Sequence, residues 1–166
     1  MSTDFEIVEG YRPGAVGAIT AHHINYYASA WGFGLPFETK VAIECASFLQ
    51  RYDDQLDRVW LVIGDDRIEG SLILDHDAAG EQHDGLHLRW FIMSDRLRGS
   101  GSGRALMQKA VDFADETADG RIWLTTFRGL AAARRLYEDF GFQLAGEVEG
   151  VTWGRTVHEQ LWIRSS

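Results

Sequence analysis

The spacing of apolar positions changes several times along the chain, and each change marks an element. Residues 5–11, "FEIVEGY", alternate weakly between apolar and polar, which predicts a first strand. From 15 to 31, Ile19, His23, Tyr26, Tyr27 and Ala30 recur at helical spacing. "GFGLP" breaks that pattern, and Pro36 suits the first turn of a second helix over 36–51, with Val41, Cys45, Phe48 and Leu49 on its inner face. Residues 58–75, "RVWLVIGDDRIEGSLILD", read as a hairpin around a Gly-Asp-Asp turn. The polar stretch 76–85 is a loop, and "LHLRWFIM" (86–93) is a strand.

A helix then runs to about residue 118, with Leu106, Ala110, Phe113 and Ala114 as its apolar stripe. "RIWLTTF" (121–127) is a strand. Residues 130–140 form a helix with Leu130, Ala133, Leu136 and Phe140 on one side, stopped by Gly141. "FQLAGEVEG" and "TVHEQLWI" are two closing strands. The order βααβββαβαββ predicts an α+β fold with a mixed central sheet of about seven strands and four helices. No repeat, low-complexity tract or linker interrupts it, so residues 1–166 read as a single domain.

Composition narrows the class. Of 166 residues 45% are hydrophobic and 12% aromatic, enough for a packed core and against disorder. No run of 18 apolar residues exists to span a membrane. The opening "MSTDFEIVEG" lacks the basic and apolar regions of a signal peptide. Cys45 is the single cysteine, so no internal disulfide forms and a reducing, cytoplasmic location is expected. A net charge of −9 disfavours nucleic acid and anionic membranes as partners and would attract a cationic substrate. The basic residues are arginines apart from Lys40 and Lys109, and arginine suits phosphate held in fixed geometry.

The chemistry is concentrated in "RLRGSGSGRALM", residues 96–107. Glycines between a strand and a helix let backbone approach a ligand, and the first N–H groups of the helix lack internal partners. Such a terminus binds phosphate or pyrophosphate, with Arg96, Arg98 and Arg104 adding countercharge. A dinucleotide-binding G-x-G-x-x-G fails because position 104 is arginine, and a P-loop fails for want of its lysine. What remains is Arg98-x-x-Gly101-x-Gly103.

That motif resembles the pyrophosphate loop of the GNAT superfamily of N-acetyltransferases. Phe91-Ile92-Met93 stands at the family's spacing before it, and "ARRLYEDFGF" after it matches the family's A-x-x-L-Y-x-x-x-G-F through Ala133, Leu136, Tyr137, Gly141 and Phe142. "YRPGAVGAITAHH", "PFETKVA" and "WGRTVHEQLW" look like the free-standing form of an acetyltransferase domain often fused to MarR-type regulators. The resemblance covers nearly the whole chain. It departs at Leu130, where many members carry an asparagine.

The resemblance implies an enzyme moving an acetyl group from acetyl-CoA to a primary amine, on a small molecule or a peptide, by direct transfer in a ternary complex. Arg98, Gly99, Ser100, Gly101, Ser102, Gly103 and Arg104 would hold the pyrophosphate, and Phe91, Ile92 and Met93 the pantetheine. A backbone N–H of that last segment would donate to the thioester oxygen. Tyr137 would sit by the cofactor sulfur as the acid. The base is open between His87, which the family's interval from Met93 picks out, Glu44 and an ordered water. A non-catalytic acyl-CoA sensor is the alternative, and an interaction domain without ligand a second one. No metal is expected. Relatives commonly form homodimers, here through the last two strands.

Other clusters carry less. Asp75, His76, Asp77, His83, Asp84 and His87 gather around one loop but match no compact metal motif. Tyr26, Tyr27, Trp31, Phe33 and Phe37 fall where the family builds its acceptor pocket, and core packing explains them equally well. Arg89, mid-strand, requires a partner that the local sequence does not name.

Overall fold

A computed structural model describes residues 4–77 and 83–165. The elements follow the predicted order: β1 (Glu6–Glu9), α1 (Ala15–Trp31), α2 (Leu35–Gln50), β2 (Arg58–Gly64), β3 (Arg67–Asp75), β4 (Leu86–Met93), α3 (Ser102–Thr117), β5 (Ile122–Phe127), α4 (Ala131–Asp139), β6 (Phe142–Gly150) and β7 (Val157–Arg164). A short helical turn, Asp95–Leu97, links β4 to the glycine stretch.

The strands form one seven-stranded sheet in the order β1-β2-β3-β4-β5-β7-β6. Every pairing is antiparallel except β4 with β5. The sheet is buried on both faces at its centre, which explains the unbroken apolar run in β2. Trp60 and Val62 face a core built with α3, while Val59 and Leu61 face a second core built with α1 and α2. Leu72 and Leu74 against Ile73 repeat the alternation in β3. At the hairpin tip Asp65 and Asp66 take φ of 50° and 60°, the left-handed pair of a tight two-residue turn.

The closing strands differ from expectation in one respect. β7 lies between β5 and β6, so both its edges are used and only β6 is left at the rim. Leu144, Val148 and, just beyond, Val151 are exposed there. Among the described residues no helix is long and apolar enough to cross a membrane.

Two irregularities open the middle of the sheet. β4 carries a bulge: Ser71 pairs with Ile92 but Ile73 pairs with Arg89, and Trp90 within it has φ of 48°. β4 and β5 pair only at Leu86 with Ile122 and His87 with Trp123. Beyond these residues the two parallel strands separate and leave a gap in the sheet.

Candidate active site

A cavity of about 210 Å³ opens in that gap. Its walls are β4 from His87 to Phe91, β5 from Leu124 to Phe127, Tyr137 of α4, and side chains of α1 and α2. Thr152 and Trp153, from the β6–β7 connection, complete it. The cavity is smaller than the roughly 300–1,000 Å³ of a drug-sized site, so it suits a small acceptor group.

Tyr137 is buried, packed against Phe142 and Trp162 at ring distances of 5.7 and 6.0 Å. Burial pushes its phenol well above the ordinary value, with Tyr27 adding to the rise. It therefore stays protonated and available as a donor. No hydrogen bond among the described residues engages its hydroxyl.

His87 also lines the cavity, but its surroundings do not suit a base. Its ring lies on Trp123 at 3.7 Å, and burial, with Arg89 nearby, pulls it down to about 3. Accepting a proton from an amine near ~10.4 would run uphill by roughly 10 kcal/mol. His87 is instead a neutral ring, its Nδ1 buried without a partner. Glu44 reaches the cavity with Oε1 3.2 Å from Arg89 and Oε2 2.6 Å from Lys40.

Arg89 thus has its partners. Besides Glu44 it donates to Asp75 at 3.1 Å, and Asp75 takes a two-pronged contact from Arg51 at 2.8 and 2.6 Å. Burial alone would push the Asp75 carboxyl up, yet the bonds from Arg51, the Asp77 N–H and Arg89 bring it below its ordinary value. His76, at the start of the neighbouring loop, is engaged in the same way. Asp57, Asp75 and His76 bring ligand atoms within 4.8 Å of one another. Donors meet those carboxylates: His76 N–H and Nδ1–H reach Asp57 Oδ1 at 2.8 and 2.7 Å, and arginines hold Asp75. His83 lies by Trp123 at 4.7 Å.

The glycine stretch lies at the end of β4. Gly99 and Gly101 have φ of 77° and 90°, and a side chain on either would meet open space. Glycine there serves the backbone turn. Gly103 lies over the Phe91 ring, which joins the loop to the cavity strand. The N-cap, Gly101, offers α3 no side chain; Ser102 N–H donates to Ser100 Oγ at 3.3 Å, while the N–H groups of Gly103 and Arg104 have no hydrogen-bond partner among the described residues and are left for an anion. The residues around it divide. Arg98 lies 2.7 Å from Asp95 and 4.4 Å over Tyr26, and Arg104 lies 2.7 Å from Asp139. Arg96 turns toward the β2–β3 tip and pairs with Asp65 at 2.7 Å, away from the cradle expected of it. Ser100 donates both its hydroxyl and its N–H to the Leu97 carbonyl, at 2.6 and 3.1 Å, and Ser102 is fully buried with its N–H on Ser100 Oγ, so these two residues shape the turn.

Of the five aromatics foreseen as a wall, Tyr27 and Phe37 reach the cavity. Phe33 is buried between them and Phe127, Trp31 lines a separate cleft, and Tyr26 faces Arg98. Lys40, Phe127, Trp153 and His23 were not foreseen as cavity residues. Lys40 had a signal, being one of only two lysines. His23 packs with Tyr27 and Phe37, its Nδ1–H donating to the Ile19 carbonyl at 2.7 Å, and burial lowers it to about 4.

Residues 18–142 match the acetyltransferase (GNAT) family. Solved structures share the fold. An acetyltransferase of GNAT family from Staphylococcus aureus is 16% identical with TM-score 0.72, covering 97% of this chain and 98% of that one. Ribosomal-protein-alanine N-acetyltransferase from Brucella melitensis is 15% identical, TM-score 0.72, covering 96% and 99%. Spermidine N-acetyltransferase from Vibrio cholerae, in complex with CoA and spermine, is 19% identical, TM-score 0.67, covering 96% and 94%. No curated protein matches the chain.

Proposed function

The chain belongs to the acetyltransferase (GNAT) family, and from that premise we propose that it moves an acetyl group from acetyl-CoA to a primary amine by direct transfer in a ternary complex. The observation that carries this reading is one continuous path. The unpaired edge of β4 and Tyr137 line a single cavity, and Gly103 at the start of α3 lies against Phe91 at the end of that edge.

Acetyl-CoA, when bound, supplies the acetyl group as a thioester. Arg98 to Arg104 hold its pyrophosphate, chiefly through backbone N–H groups at the start of α3. The β4 edge at Phe91–Met93, which faces no strand on the β5 side, pairs with the pantetheine arm and gives an N–H to the thioester oxygen. Tyr137 donates a hydrogen bond to the departing sulfur. A thiolate near ~8.5 is a weaker base than a phenolate near ~10, and burial widens that gap, so Tyr137 keeps its proton.

The amine must arrive neutral. His87 and His23 are uncharged, and Lys40 with Arg89 place more positive than negative charge on the wall. That field disfavours an ammonium, so water, rather than His87, takes the proton. Relatives of the same fold are named for different acceptors, and the fold does not choose among them. A second copy would pair along β6, the exposed rim strand, and sedimentation of the purified chain tests that contact.

The primary test is calorimetric titration with acetyl-CoA, with ATP and NAD as controls, followed by thiol release against a panel of amines. Micromolar binding of acetyl-CoA alone and release with any amine support the reading. Binding without release from any amine favours an acyl-CoA sensor. Absence of binding by folded protein overturns both.

A further inference from the structure

We infer that the acceptor is a small amine that also carries a carboxylate, as an α-amino acid with an apolar side chain does. The inference rests on the acetyl-transfer reading and concerns the same cavity.

Three observations converge on it. The first is charge. The cavity wall holds the cations Lys40 and Arg89 and one anion, Glu44. Glu44 touches both cations, at 2.6 and 3.2 Å, while Asp75 behind Arg89 is matched by Arg51. The wall itself thus carries one more positive than negative charge, in a protein whose net charge is −9. A surplus opposed to the rest of the molecule is local, and it sits beside Lys40, whose side chain keeps 34% of its surface open. An anion on the ligand would complete the set.

The second is the aromatic lining. Tyr27, Phe37, Phe127 and Trp153 form it, an aromatic surface for an apolar side group, with Phe37 one turn from Lys40 on α2. The third is the neutral ring of His23. It gives its Nδ1–H to Ile19, so its Nε2 keeps a lone pair. That atom can accept a hydrogen bond from an N–H without adding charge. Carboxylate to Lys40, side chain to the aromatics and amine to His23 make a three-point fit within about 210 Å³. A polyamine fits poorly, since it would bring positive charge to Lys40 and Arg89 with one carboxylate already shared between them.

The test separates binding from transfer. N-acetyl-L-phenylalanine and N-acetylphenethylamine, which differ by the carboxylate, are titrated into the CoA-saturated protein by calorimetry. The acid is expected to bind at least tenfold more tightly, and Lys40→Gln to cut that ratio below threefold. Circular dichroism of the variant checks that it is folded. Equal binding of the two probes, a ratio indifferent to Lys40→Gln, or tighter binding of spermidine overturns the inference. Thiol release is then compared for L-phenylalanine and phenethylamine. A Lys40-dependent preference for the acid with no thiol release from either amine would sink the transfer reading and leave the carboxylate site standing.

Discussion

His87 lies flat on Trp123, ring centroids 3.7 Å apart and planes 7° from parallel, and these residues form the last pair between β4 and β5. The stack closes the root of the gap from which the cavity opens. Beyond it β4 makes no pair with β5 and the two strands line the cavity together, and before it Leu86 pairs with Ile122 as ordinary sheet. That position buries the imidazole, and burial gives it a testable acid response.

His87 is lowered to about 3 and His23 to about 4, both chiefly by burial, while in the unfolded chain each titrates near 6.5. Below pH 6.5 the unfolded state therefore binds protons that the folded state refuses. Stability is undiminished above that pH and is lost as pH falls toward 4. From pH 7 to 5 the two sites together should cost about 4 kcal/mol, read by urea unfolding at the two values. His87→Phe, which keeps an aromatic ring on Trp123, should halve the loss. The pH–rate profile is a separate check on the same ring. His87→Gln should leave any acid limb of kcat/KM in place, and a limb near pH 6.5 that vanishes in this variant would restore His87 as the base.

The element order and two motifs were legible in sequence because they are local. Alternation in β2 and β3, the stripe on α3 and the glycine stretch each depend on neighbours a few residues away. The cavity was less so. Arg89 finds Glu44 across 45 residues and Asp75 across 14, and no spacing rule joins them. Trp153 reaches the cavity only because β7 inserts between β5 and β6. The family's interval points to His87, and its neutrality comes from burial, with Arg89 adding to it, neither of which a spacing shows. The left-handed Trp90 has no sequence mark, since tryptophan is not a residue chosen for positive φ.

Tyr137→Phe removes one hydroxyl and keeps the ring between Phe142 and Trp162. Acetyl-CoA affinity should stay within about threefold, while kcat falls by about 10²-fold or more. Calorimetry and thiol release on the same preparation measure the two. Equal losses in both would assign Tyr137 to cofactor packing instead of to the leaving sulfur.

Gly101→Glu places a charge and a side chain at φ of 90°, in a space with no neighbour within 4 Å. The side chain is not excluded by contact, so the fold should survive with about 1–2 kcal/mol of backbone strain. The carboxylate faces the site assigned to pyrophosphate, and acetyl-CoA binding should weaken by tenfold or more. Gly101→Ala carries the strain without the charge and should fall between variant and parent. Unchanged binding in Gly101→Glu would make the stretch a turn and nothing else.

Ser71 holds the bulge. Its Oγ donates to the Trp90 carbonyl at 2.6 Å, both groups buried, at the point where the β3–β4 register shifts. Trp90 at φ of 48° costs on the order of 1–3 kcal/mol, so the bulge needs bonds that favour it over a regular strand. Ser71→Ala leaves that carbonyl without its donor and should destabilise the protein by about 1–3 kcal/mol in urea unfolding. The bulge also sets the direction of Phe91 into the cavity and of Arg89 toward Glu44. If it relaxes, KM for acetyl-CoA should rise along with the loss of stability. A stability loss with unchanged KM would mean that strand pairing at Ile92 and Met93 positions the cofactor edge without help from Ser71.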